Sequence, residues 1–269
     1  MVKISICTMV KDEDDVVKDW IEYHGKLVGF ENLYIIDNNS NDNTYQNCNE
    51  YCSRGVHLEK RPDYKQKGNY MTEYKNKINT DIFIPLDIDE FICYYDKENK
   101  IISPEKTFEY LKELFQTKHG VLKMNYLWPI RTNNNNDLSK FTHATYDDYK
   151  EMAKTFIIKK NVSPNLRFDH GNHYTQKPYF VSDLVLIHYH HRSHNQYVLK
   201  CMNNVSGLGY SLNTINLINL LNRSPGCGGF HRVQMYIEIK EHPNKDFSPL
   251  LQPIIDPSWI NIENMFNNI

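Results

Sequence analysis

The sequence predicts an α/β fold: a mostly parallel central sheet flanked by helices. Three observations carry this. Short β-branched, apolar runs alternate with amphipathic stretches through about the first ninety residues. Turn-forming clusters separate them. Acidic residues fall at the C-terminal ends of the predicted strands, where ligands bind in open parallel sheets. The elements follow in order. Residues 2–10 (VKISICTMV) form a buried strand, and the charged KDEDD run is a loop. In the next stretch Val16, Val17, Trp20, Ile21, Tyr23 and His24 cluster on one helix face, with Asp12 or Asp14 available as N-cap. Residues 32–37 (NLYIID) are a second strand, stopped by NNSNDNT, and residues 44–51 start a helix. Residues 56–60 are a third strand, residues 64–79 a polar helix despite Gly68, and residues 81–92 (DIFIPLDIDEFI) one buried strand running into acidic residues. Further on, residues 106–117 are an amphipathic helix with Phe108, Leu111, Leu114 and Phe115 on one side. Residues 121–128, 155–160 and 183–191 are strands, residues 133–137 a polar loop, and the chain beyond Asn195 is a helical stretch, a Gly-rich loop and a Pro-punctuated tail. No internal repeat or domain boundary is visible, so residues 1–269 are read as one domain.

Composition bounds the function. The 269 residues are 40% hydrophobic, enough for a substantial core, and 31 Lys and Arg against 33 Asp and Glu give a net charge of −2. That balance supplies no global field for nucleic acid or anionic membrane. Nineteen tyrosines suit a core or a sugar-binding cleft equally. The six cysteines lack CxxC or metal-ligand spacing and are expected to be reduced thiols; Cys48 and Cys52 share a helix face, which does not favour a bridge. No signal-peptide pattern and no stretch of about 18 apolar residues is present, so a soluble, cytoplasmic protein without a membrane span is expected.

The strongest chemical feature is LDIDEF at residues 86–91. Strand alternation would put Asp87 and Asp89 on the same face, so both could hold one hard divalent cation, Mn²⁺ or Mg²⁺, with open positions for phosphate oxygens. Such a cation assists a diphosphate leaving group. The segment IHYHHRSH offers His188 as a third ligand with His190 on the same face, and Arg192 and Lys200 as phosphate-neutralising cations. An acceptor's general base must be a carboxylate or imidazole. Asp169, in FDHGNHY, and Glu90 are the assigned candidates, with Asp147 and Asp148 also open and turn capping the plain alternative for Asp169. The loop Gly226–Gly229 could approach a phosphate but lacks any phosphate-binding fingerprint.

Three ordered motifs in the first 200 or so residues resemble glycosyltransferase family 92 and its family 2-like GT-A relatives. They are Lys11 with Glu13, Trp20, Tyr23, His24, Gly29, Asp37, Asn38, Ser40 and Asp42; then Asp87, Asp89, Glu90 and Phe91; then His188, Tyr189, Arg192, Ser193 and Lys200. Asp12 stands where those proteins usually carry Asn, and the last 60 or so residues match no motif. The resemblance implies a GT-A fold with a nucleotide-sugar-binding half over residues 1–95, an acceptor and metal-completing half over 96–200 and an extension over 201–269. It implies that the first strand and its loop, with Thr8, Val10, Glu13, Asp37 and Asn39, hold the nucleotide, and that Asp87, Asp89 and His188 surround the cation. The implied reaction is hexose transfer from a UDP-sugar to a glycan or protein-linked glycan hydroxyl, with inversion. A metal-dependent phosphoesterase using the same ligands and a non-catalytic GT-A-like binding module stay open as alternatives, as do the acceptor's identity and the oligomeric state.

Overall fold

The computed structural model describes residues 2–130, 137–147, 153–173, 178–190, 192–224, 230–243 and 258–266. In chain order the elements are β1 (Ile4–Val10), α1 (Val17–Val28), β2 (Leu33–Asp37), α2 (Thr44–Glu50), β3 (His57–Lys60), α3 (Lys67–Lys77), β4 (Ile82–Leu86), β5 (Glu90–Asp96) and β6 (Ile101–Ser103). Then follow α4 (Thr107–Phe115), β7 (Val121–Ile130), β8 (His143–Asp147), β9 (Lys154–Ile158), β10 (Tyr179–His188), α5 (His194–Gly207), α6 (Thr214–Arg223), α7 (Phe230–Glu241) and β11 (Ile260–Asn261). Among the described residues no helix is long and apolar enough to cross a membrane.

The sheet runs β3-β2-β1-β4-β9-β7-β10-β5-β6, with β8 on β7 and β11 on β8. β3, β2, β1 and β4 are mutually parallel, and β7 and β10 share their direction. Antiparallel β9 and β5 are inserted beside them, so most strands point one way. Both faces are covered, which explains the nearly continuous apolar strands. Along β1, Ile6 packs with α1 and α4 on one face, while Cys7 packs with α3 on the other. Ile35 and Ile36 of β2, and Ile82 and Phe83 of β4, divide the same way. A separate apolar cluster, including Tyr197, Cys201, Leu217, Val233 and Tyr236, joins α5, α6 and α7.

Two local expectations are corrected. The run 81–92 is not one strand. β4 stops at Leu86, the chain turns through Asp87, Ile88 and Asp89, and β5 pairs with β10 and β6 in another part of the sheet. The turn is closed by the Glu90 amide donating to the Asp87 carbonyl at 3.1 Å and the Asp87 amide donating to Glu90 Oε2 at 2.8 Å. Neither Asp12 nor Asp14 caps α1, whose N-cap Val16 makes no side-chain cap bond. The acidic loop is instead stitched to the loop after β2. Asp12 (φ 53°) accepts from the Asn41 amide at 2.6 Å, and the Glu13 and Asp14 amides donate to Thr44 Oγ1 at 2.8 Å and Asp42 Oδ2 at 3.2 Å.

Helix α1 sets the position of β5 and so of the acidic turn before it. Trp20 Nε1 donates to the Glu90 carbonyl at 3.0 Å, and Tyr23 Oη to the Ile92 carbonyl at 2.6 Å. His24, fully buried, lies 3.0 Å by Nδ1 from the Trp20 carbonyl and accepts from the Ile92 amide at Nε2, 3.4 Å away. Both contacts require a neutral ring protonated on Nδ1. Burial, partly offset by the Trp20 carbonyl, pushes its pKa down to about 3. The unfolded chain therefore takes up a proton below about pH 6.5 that the folded chain refuses. Stability falls as pH drops through that window, by about 1.4 kcal/mol per unit from this group. Urea unfolding of the unmodified chain between pH 7 and pH 5 should accordingly lose about 2 kcal/mol more than His24→Phe loses; equal losses would remove the role given to His24.

Candidate active site

A cleft of about 500 Å³ opens at the C-terminal ends of β1, β4, β7 and β10, with α5 and α7 forming another wall. Its floor is the Asp87–Asp89 turn. Both carboxylates line the cleft, but the strand ends before them, so alternation does not set their directions and they enter different networks. Each sits in its own nest.

Asp89 is fully buried. Its Oδ2 receives the Lys200 ammonium and lies 3.3 Å from His188 Nε2 and 3.4 Å from His190 Nδ1. One ligand atom each from Asp89, His188 and His190 lies within 4.8 Å of the others. The carbonyl of Asp89 accepts from the Tyr189 amide at 2.8 Å, which ties the turn to the end of β10. Burial alone would raise the Asp89 carboxyl, but Lys200 and His188 hold it well below the ordinary range. Burial, with Lys200 and Arg232 nearby, pushes His190 well below the usual imidazole value, so the ring is neutral.

Asp87 belongs to a different network. It pairs with Lys67 and, at 2.8 Å, with Lys154, which also meets Glu90 Oε1 at 3.1 Å. Burial opposes ionisation of Asp87, and Lys154 and Lys67 together overcome it, holding the carboxyl well below the ordinary range.

Of the residues assigned from sequence, Val10, Glu13, Asp87, Asp89, Glu90, His188 and Lys200 line the cleft, and Thr8, Asp37, Asn39, Arg192 and Asp169 do not. Thr8 is buried within β1, between Ile35 and Leu86 of the neighbouring strands. Asp37 is buried and accepts from the Ser40 amide at 3.3 Å, capping its own loop. Asn39 holds that loop at φ 53°, its carbonyl accepting from Lys11 at 3.4 Å. Arg192 is spent on Glu13 and, at 2.8 Å, Asp15, and it donates to the Tyr189 carbonyl at 2.8 Å. Glu90 faces the cleft, but its carboxylate is engaged by Lys154 and the Asp87 amide, which leaves it poorly placed to take a proton. At Asp169 it is the following residues, His170 and His173, that reach the cleft; the Asp169 backbone abuts Gly68, where a Cβ would come within 2.7 Å of it, so α3 must carry glycine there. Among the open candidates Asp147 lines the cleft, accepting from Trp128 Nε1 at 3.1 Å. Residues 133–136, Asp148, His191 and Gly226–Gly229 lie outside the described residues.

Sequence reasoning missed Lys67, Lys154 and Arg232. Only Lys154 left a trace, a lysine beside the apolar run TFII that is 1% exposed in the fold.

No family model matches the chain, and no curated protein matches it in sequence. Solved structures similar to it include glucosyl-3-phosphoglycerate synthase from Mycobacterium tuberculosis in complex with Mn²⁺ and UDP-glucose, at 16% identity over 46% of this chain and 44% of that one, TM-score 0.33. A second is S. aureus TarS 1–349, at 11% identity over 91% of this chain and 73% of that one, TM-score 0.42. This chain covers less than half of the mycobacterial synthase chain. At these TM-scores the functional reading rests on this chain's own residues.

Proposed function

We propose that this chain is a divalent-cation-dependent glycosyltransferase of the GT-A type, moving a hexose from a nucleotide sugar, a UDP-sugar by its sequence resemblance, to a hydroxyl of a glycan acceptor with inversion. The observation that carries this reading is the buried cluster of Asp89, His188 and His190 at the strand ends. The residues fit a cation: among the described residues Asp89 Oδ1 and His188 Nδ1 are buried with no hydrogen-bond partner, which leaves that carboxylate oxygen able to accept a metal. One carboxylate with two neutral imidazoles suits Mn²⁺ better than Mg²⁺, which prefers oxygen ligands. A cation held there supplies Lewis-acid stabilisation of the departing diphosphate.

The chain's own residues do the rest. Lys200, on Asp89 and 3.3 Å from Glu13, keeps the carboxylates at this end compensated. Asp147, at the end of β8 and oriented by Trp128, is the residue we assign to take the acceptor's proton as its oxygen attacks the anomeric carbon. Trp128, partly buried in the cleft lining beside Tyr126 and His188, offers an aromatic surface for a sugar ring.

The decisive experiment is a thermal-shift screen of nucleotide sugars with and without Mn²⁺, because a ligand that binds only the folded state raises its stability by mass action. At 100 times the dissociation constant the gain is about 2.7 kcal/mol, a shift of several degrees. The expected result is a shift with a UDP-sugar only when Mn²⁺ is present. No shift with any nucleotide sugar would overturn the reading.

A further inference from the structure

The cleft holds more cations than it can offer to a ligand. Lys67 is compensated by Asp87, Lys200 by Asp89 and Glu13, and Arg192, behind the wall, by Glu13 and Asp15. A diphosphate entering the cleft gains little from cations whose charge is already met by carboxylates at contact distance. Among the described cleft residues Lys11 and Arg232 pair with no carboxylate. Lys11 sits at the end of β1 and donates to the Asn38 and Asn39 carbonyls at 3.3 and 3.4 Å, away from the Asp89 cluster. Arg232 comes from α7 on the side of that cluster.

Its polar contacts are with sulfur. The guanidinium donates to Met235 Sδ at 3.8 Å and meets the buried Cys201 thiol. Sulfur is a weak acceptor, so these contacts hold the side chain in place without neutralising it. The position itself is fixed by packing: Val233, Tyr236 and Ile237 of α7 cluster with Tyr197, Cys201 and Val205 of α5, the helix that carries Lys200. An oriented, half-buried guanidinium facing the cleft without a carboxylate is suited to bidentate contact with phosphate oxygens.

We propose that Arg232 binds the diphosphate of the donor, an inference that rests on the nucleotide-sugar reading of the cleft. The α5–α7 module thereby becomes part of donor recognition and not an appendage to the sheet.

The test is calorimetric titration, in the presence of Mn²⁺, of uridine, guanosine, adenosine, cytidine and thymidine diphosphates and their parent nucleosides. The unmodified protein, Arg232→Gln and Arg232→Lys are compared using the diphosphate the unmodified protein binds best. The dissociation constant of that diphosphate should rise about tenfold or more in Arg232→Gln, from the lost charge-assisted hydrogen bonds, with the nucleoside unaffected and Arg232→Lys recovering part of the loss. Equal weakening of diphosphate and nucleoside, or no weakening, overturns the assignment of Arg232 alone. An unmodified protein that binds none of the diphosphates overturns the nucleotide reading and this inference with it.

Discussion

Asp89→Asn is expected to abolish Mn²⁺ binding and to lower kcat/KM for transfer by about a thousandfold, the several kcal/mol that a Lewis acid contributes to a charged leaving group. One carboxylate oxygen organises Lys200, His188 and His190, and the other is buried without a partner among the described residues. The amide keeps the shape but presents either an N–H₂ or a neutral oxygen where an anion is required. Asp87→Asn discriminates between two views of the acidic turn. If both carboxylates served one cation, as strand alternation suggests, the two variants would lose the metal alike. Because Asp87 instead neutralises Lys67 and Lys154, its amide should leave Mn²⁺ affinity within about tenfold while unsettling the Lys154–Glu90 pair. Asp147→Asn should keep both metal and nucleotide binding and lose turnover, the pattern of a missing general base. Calorimetry with Mn²⁺ and steady-state kinetics on the three variants separate these roles. An Asp89→Asn protein that still binds the metal, or an Asp87→Asn protein that loses it equally, would dissolve the proposed cluster.

Sheet and helices were legible because the pleat and the helical turn leave periodic marks in sequence. Ile6 and Cys7, or Ile35 and Ile36, read as buried on both faces because a parallel sheet covered by helices demands apolar residues at every position. The same rule caused the misreading of residues 81–92. Two buried strands abut across three residues, and nothing in their composition shows that β4 and β5 lie in different parts of the sheet. That follows from β9, β7 and β10 sliding between them, and those strands come from residues far along the chain. The side-chain partnerships were hidden for the same reason. Arg192 stands next to the histidines in sequence and reads as a phosphate ligand, whereas its partner Asp15 is 177 residues away and only the fold brings them together. His188 and His190 were visible because the end of an apolar strand is a local signal. Lys67 and Arg232 gave none, since each is one cation among others on its helix, with no local pattern to set it apart.

Removing Arg192, behind the cleft wall, should cost more stability than any of the cleft substitutions above, about 3–5 kcal/mol for Arg192→Met, read from urea unfolding. The side chain is 1% exposed and bridges the loop after β1 to the start of α5. Its Nε and Nη2 reach Asp15 at 2.8 and 3.1 Å, another Nη2 contact meets Glu13, and Gln196 of α5 reinforces Asp15 at 2.6 Å. Burial opposes the charge on Arg192, and Glu13 and Asp15 more than offset it, so its pKa lies above the ordinary arginine value. Methionine fills a similar volume yet leaves the buried Glu13 carboxylate to Lys200, already shared with Asp89, and Asp15 to Gln196, and that lost compensation is the main expense. Arg192→Lys keeps the charge but cannot span two carboxylates with one planar fork, so it should lose an intermediate amount. A double variant, Arg192→Met with Glu13→Gln, removes the carboxylate that lost its arginine and should recover part of the stability, giving a coupling energy that two independent residues would not show. The nucleotide affinity of the folded Arg192→Met protein should remain near that of the unmodified chain, in contrast to Arg232→Gln. A stable Arg192→Met protein that no longer bound nucleotide would return Arg192 to the phosphate and take away its role as the clamp that holds α5, and with it Lys200, over the Asp89 cluster.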